Sequence, residues 1–100
     1  MDAQLKRGFL EVLVLSSLKE APSYGYKIIN DISSLIEISE STLYPILKRL
    51  QQQAYVNTYN EQHQSRLRKY YRITDLGRSE LIKAREDFKE IEKIYDYILR

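Results

Sequence analysis

Ser41-Thr-Leu-Tyr-Pro-Ile-Leu-Lys-Arg-Leu50, then Tyr55-Val-Asn-Thr-Tyr59 and Leu67-Arg-Lys-Tyr-Tyr-Arg-Ile-Thr74, is the stretch in which the chain changes its period. In the first block Leu43, Ile46, Leu47 and Leu50 return to one face of a helix. Ser39 or Ser41 can cap that helix, which reaches about Gln53. Pro45 falls near its first turn or just past it, where a missing N–H costs least. The next two blocks alternate in the manner of strands, and the polar run Asn60-Glu-Gln-His-Gln-Ser-Arg66 between them reads as a turn-like loop. A short amphipathic helix thus runs directly into a β-hairpin.

Upstream, Leu5, Phe9, Val12, Leu13 and Leu18 recur at helical spacing and predict a helix from about Leu5 to Glu20, ended by Ala21-Pro-Ser23. Ser23 is placed to cap a second helix reaching about Leu35, with Ile28, Ile29 and Ile32 inward. Downstream, Thr74-Asp75 opens a long fourth helix on which Leu81, Ala84, Phe88, Ile91, Tyr95 and Ile98 alternate at spacings of three and four. That is the seam of helices packing side by side at a shallow angle. At 1.5 Å per residue such a helix is about 37 Å long, more than three short helices can cover, so part of it should meet another surface. The expected fold is mainly α with a small β-hairpin. It comprises a winged helix-turn-helix over 1–74 and a dimerisation helix over 75–100, within one domain.

Composition narrows the chemistry. The 100-residue chain has no cysteine and one histidine. Disulfides, thiolate zinc sites and cysteine nucleophiles are therefore excluded, and one histidine without a thiolate argues against a transition-metal site. No glycine-rich phosphate loop and no nucleophile–base pair is visible, which argues against an enzyme, and nothing calls for a cofactor. The N-terminus lacks the apolar segment of a secretory signal, and no run is apolar enough to span a bilayer; a cytoplasmic location is expected. A net charge of +2 says little, but its distribution says more. Residues 41–74 hold six basic side chains against Glu61 alone, whereas both flanking segments carry an acidic excess. A local basic patch suits a polyanion.

In a winged helix the third helix enters the major groove and the hairpin lies on the neighbouring backbone. This places Ser41, Thr42, Tyr44, Lys48 and Arg49 on the recognition helix and Arg66, Arg68, Lys69 and Arg72 on the wing as candidate DNA contacts. Arg68, Tyr70 and Arg72 share one side of the strand by alternation. Tyr71 and Ile73 are read as packing residues, and His63 as a solvent-exposed loop residue. The seam residues are candidates for a homodimer interface, and a two-fold dimer calls for a near-palindromic operator.

Tyr24-Gly-Tyr-Lys-Ile-Ile29, Ser41 to Leu50, and Arg68-Lys-Tyr-Tyr-Arg-Ile-Thr-Asp-Leu-Gly77 resemble, in order and spacing, the PadR family of bacterial transcriptional regulators, in its small subgroup with a single C-terminal helix. The resemblance implies a dimeric repressor with an effector pocket at or near the dimer interface, able in small members to take flat aromatic compounds. It gives Gly25 and Tyr26 a structural role at the start of the second helix. Two features depart from the family pattern. Ala54 stands where members commonly have glycine, and since positive φ is unfavourable for alanine, that turn is expected to be built differently. There is also no tryptophan, so an aromatic effector would have to use Phe9, Phe88, Tyr95 or Tyr97. The competing reading is a winged-helix protein-interaction adaptor that does not bind DNA. Its mark would be the loss of basic groups from recognition helix and wing, and here they are present.

Overall fold

Asp2 begins the ordered chain by capping: its carboxylate accepts the amides of Gln4 at 3.0 Å and Leu5 at 3.2 Å, which starts α1 at Ala3. The computed structural model describes residues 1–100, in the order α1 (Ala3–Ser17), α2 (Gly25–Ile32), α3 (Glu40–Gln52), β1 (Val56–His63), β2 (Arg66–Ile73) and α4 (Asp75–Ile98). This is the expected winged helix with a long final helix. No helix is long and apolar enough to cross a membrane.

The core is one cluster under the three short helices and the root of the hairpin, with Val14, Leu18, Ile28, Leu43 and Leu47 at its centre. Tyr71 and Ile73 are buried in it, as their positions suggested. On α1, however, the core face is Leu10, Val14, Leu15 and Leu18, while Leu5 is exposed and Phe9, Val12 and Leu13 are half-buried. The helix carries two apolar stripes; of the residues selected by spacing Leu18 belongs to the core, whereas Leu5, Phe9, Val12 and Leu13 lie on the stripe turned away from it. Its boundaries also lie earlier than expected, at Ala3 and Ser17. Arg78 of α4 reaches back to donate to the Lys19 carbonyl at 3.2 Å, beyond the end of α1, which has no basic residue in its own last turn.

Ser23 does not cap α2. Its backbone pairs with Tyr71 in both directions, Ser23 N–H to Tyr71 O at 3.0 Å and Tyr71 N–H to Ser23 O at 2.7 Å, which adds a one-residue third strand to the sheet. Tyr24 takes the cap position without a side-chain bond, and α2 ends at Ile32, short of Leu35.

The hairpin is longer and tighter than the alternation suggested. β1 and β2 pair antiparallel from Val56↔Ile73 to His63↔Arg66. Only Gln64 and Ser65 form the turn, at φ 51° and 67°. Two successive positive φ values are the I′ geometry, whose twist matches that of the strands. Residues 60–63, taken as loop for their polarity, are strand because this turn propagates the register through them; His63 is exposed there.

Between α3 and β1 the chain turns at Ala54 with φ 62°. The turn is therefore made in the left-handed conformation that favours glycine, and the expectation of a different construction is corrected. What holds it is Thr74. Its hydroxyl donates to the Ala54 carbonyl at 2.7 Å and accepts the Gly77 amide at 3.0 Å, capping α4 with the same atom. Gly77 is required for steric reasons, because a Cβ there would collide with the Tyr55 carbonyl. The Thr-x-x-Gly spacing thus clamps the start of α4 onto the α3–β1 turn.

α4 is 24 residues, about 36 Å. The molecule measures 56 × 27 × 21 Å because this helix outruns the body. Along the seam Leu81, Ala84 and Phe88 are half-buried, and every residue from Ile91 onward is exposed.

Candidate nucleic-acid interface

The recognition element is α3, whose core stripe of Leu43, Ile46, Leu47 and Leu50 decides which side is free. At about 100° per residue, Ser41, Lys48 and Gln52 fall at the centre of the solvent side, Tyr44 on one flank and Thr42 and Arg49 on the other. Pro45 is the sixth residue of the helix, beyond the first turn. Lacking an N–H, it leaves the Ser41 carbonyl without its helical donor, on the outward face. Ser39 precedes the helix but spends its hydroxyl on those of Ser41 at 2.9 Å and Thr42 at 3.2 Å, so no side chain caps the first amides of α3.

Each flank of α3 is tied to another helix. On one side the Tyr44 ring lies against Gly25, so closely that a Cβ on Gly25 would strike the phenol oxygen. Gly25 is thus structural, as expected, but Tyr26 beside it is 75% exposed and lies outside the core. On the other side Arg49 donates through Nε to Glu11 Oε1 of α1 at 2.8 Å. The open groove between α1 and α3 is lined by Lys6, Leu10 and Glu11 on one wall and Thr42, Pro45 and Arg49 on the other.

The wing carries its basic residues on two faces. Arg68, Tyr70 and Arg72 share the outer face, as alternation required, with Tyr59 of β1 and Tyr24 of the α2 cap joining them. The Arg68 guanidinium sits over the Tyr24 ring at 4.1 Å and that of Arg72 over Tyr59 at 4.8 Å. Tyr70 stacks on Tyr59 at 5.5 Å and meets Tyr24 edge-on at 5.4 Å. A cation over an aromatic ring is worth about 0.5–1 kcal/mol at exposed sites. Arg72 also donates to Asn57 Oδ1 at 3.3 Å. Lys69 points to the opposite face, above Tyr71 at 5.6 Å, and Arg66 stands beside the turn, exposed. Burial first, then the neighbouring Tyr44 phenol, raises the Tyr71 phenol above its ordinary value. Tyr55, at the root of the wing, donates to Glu80 Oε2 of α4 at 3.3 Å; burial, the Glu80 charge and that bond raise its phenol as well.

Of the residues considered for an effector, Phe9 and Phe88 come together, stacked with centroids 5.5 Å apart. They line an apolar groove of about 420 Å³ with Val12, Leu13, Leu35 and Ile36. Tyr95 and Tyr97 are elsewhere on α4, exposed, with Arg100 over the Tyr97 ring at 3.5 Å. No group of three or more metal-ligating side chains occurs.

Residues 14–83 match the family model described as the transcriptional regulator PadR-like family. The chain belongs to the PadR-like family. A PadR-family regulator from Eggerthella lenta superposes with a TM-score of 0.86 at 35% identity, over 97% of this chain and 87% of its own. A transcriptional regulator from Clostridium thermocellum gives 0.89 at 30% identity, over 98% and 100%. An uncharacterized protein from Lysinibacillus sphaericus is 33% identical over 98 residues, 93% of this chain and 90% of its own. PadR-like regulators are non-enzymatic DNA-binding transcription regulators, and this one presents the helix and wing that such a role needs.

Several members of this PadR-like site escaped sequence reasoning. Gln52 shares the solvent face with Ser41 and Lys48, a relation the helical wheel already contained. Tyr24 and Tyr59 could be found only from the register of the hairpin and the Ser23–Tyr71 bridge. Glu11, distant in sequence and set among the apolar residues of α1, carried no signal of its meeting with Arg49.

Proposed function

We propose that the protein is a homodimeric transcriptional repressor that binds a near-palindromic operator and is released from it by a small aromatic effector, acting in the cytoplasm. Residues 1–74 serve DNA and 75–100 serve the dimer. The observation that carries this reading is the placement of Lys48, Arg66, Arg68, Lys69 and Arg72 on the two elements a winged helix offers to DNA, none of them in an ion pair. Ser41, Thr42 and Tyr44 at the start of α3 are the residues within reach of base edges and nearby phosphates. The seam on α4, half-buried at Leu81, Ala84 and Phe88 and uncovered at Ile91, Tyr95 and Ile98, supports the dimer. The Phe9–Phe88 groove, within the usual size range of ligand sites, supports an effector beside that seam.

The test is fluorescence anisotropy with a labelled duplex from the region upstream of the protein's own gene, at several salt concentrations, against a scrambled duplex of equal length. Saturable binding by two chains per duplex, preferring the native sequence and weakening steeply with salt, is the expected result. No binding at low salt would favour a winged-helix adaptor instead.

A further inference from the structure

Arg49 looks like a DNA contact by its position beside Lys48, yet it is the one recognition-helix cation whose charge is already answered. Of the three ion pairs in the structure, Lys27–Asp31 and Lys89–Glu86 join neighbours on one helix, and only Arg49–Glu11 joins two helices. The bond is short, 2.8 Å from Nε to Oε1, and both residues line the α1–α3 groove together with Leu10 and Ile46. Arg49 leans toward α1 on the flank of α3, whereas Lys48 stands on its solvent side with no ionic partner. A guanidinium neutralised by a carboxylate releases few counterions on meeting a phosphate. The same α1 is stacked on α4 through Phe9 and Phe88. The pair therefore fixes α3 to the helix that also touches the long seam helix.

We propose that Arg49 and Glu11 are positioning residues, which hold the setting of α3 against α1 and leave the charge contact with DNA to Lys48. This rests on the DNA-binding reading above. It requires that Arg49 contribute to recognition through its helix and not through a phosphate.

The experiment compares wild type with Glu11→Gln, Arg49→Gln, the double variant and Lys48→Gln. Two duplexes are used, one selected by the wild-type protein from a random-sequence pool and one scrambled, and affinity is followed against salt. Glu11→Gln and Arg49→Gln are each expected to weaken binding to the selected duplex about two- to fivefold, the range of an exposed ion pair. The double variant should be no worse than either single one. Both single variants should leave the scrambled duplex and the slope of log affinity against log salt unchanged. Lys48→Gln should reduce that slope by about 0.9 per subunit. Three results would overturn the proposal: a slope reduction for Arg49→Gln like that of Lys48→Gln, tighter binding by Glu11→Gln, or no effect of either variant. Should one variant fail to fold, the other decides alone. A wild type that bound neither duplex would remove the DNA-binding reading and this one with it; a binding wild type with any of the three results removes this one only.

Discussion

Ala54 occupies the left-handed region at φ 62°, which costs an alanine roughly 1–2 kcal/mol that glycine does not incur. The residue is exposed, so nothing is lost by removing its methyl group. Ala54→Gly should raise stability by about 0.5–1 kcal/mol, the strain relieved less the extra freedom glycine has when unfolded; chemical denaturation of the two proteins measures it. The alanine itself was legible as unusual in the sequence. The hydroxyl that holds the turn was not, because Thr74 lies a whole hairpin away and also reads as an ordinary helix cap. A second prediction concerns alkali. The phenols of Tyr55 and Tyr71 are both raised above their unfolded value, so the folded state favours their protonated forms. Their contribution is fully present below the ordinary tyrosine pKa of about 10 and is lost as pH rises through the folded values. Thermal unfolding followed from pH 9 to 11.5 should show a decline that is shallower in the Tyr55→Phe, Tyr71→Phe double variant.

The elements divide into those whose period fixed their packing and those whose period was ambiguous. On α3 a single apolar stripe predicted Leu43, Ile46, Leu47 and Leu50 as core, and all four are buried. α1 carries two such stripes, and spacing alone cannot tell the one that faces the core from the one that faces the Phe88 groove. The hairpin was recognisable from Tyr55 and Leu67, but its polar outer half was hidden because tight-turn geometry, not hydrophobicity, holds it. α4 goes further: Ile91, Ile94, Tyr95 and Ile98 are 45–68% exposed, outside the core cluster. If a second copy covers them, a charge placed there must be buried without a partner. Ile91→Asp should then shift the mass in sedimentation equilibrium from dimer to monomer at micromolar concentration while leaving far-ultraviolet circular dichroism nearly unchanged. A wild type that sediments as a monomer would count against the dimer.

At the scale of the molecule the architecture was readable because several levels agreed: the Thr74 cap of α4, the change of period after Leu50, the basic middle third and the long seam all suit a winged helix. The site was only half readable. Sequence indicates which residues stand on the helix and wing, but not how they are engaged. Arg68 and Arg72 sit over tyrosine rings and Arg49 is paired across to α1. These are tertiary meetings of residues far apart in the chain, and they divide six similar-looking cations into free and engaged ones.

The last turns of α4 have a further consequence. A helix end without tertiary support frays, and a frayed segment rich in Ile and Tyr is the kind of site at which proteases begin. If a second copy covers the seam, a newly made chain that has not met one carries that mark and an assembled chain does not. Turnover would then fall on unassembled chains first. The cell's stock of this regulator would be set by how fast its chains find each other as well as by how fast they are made.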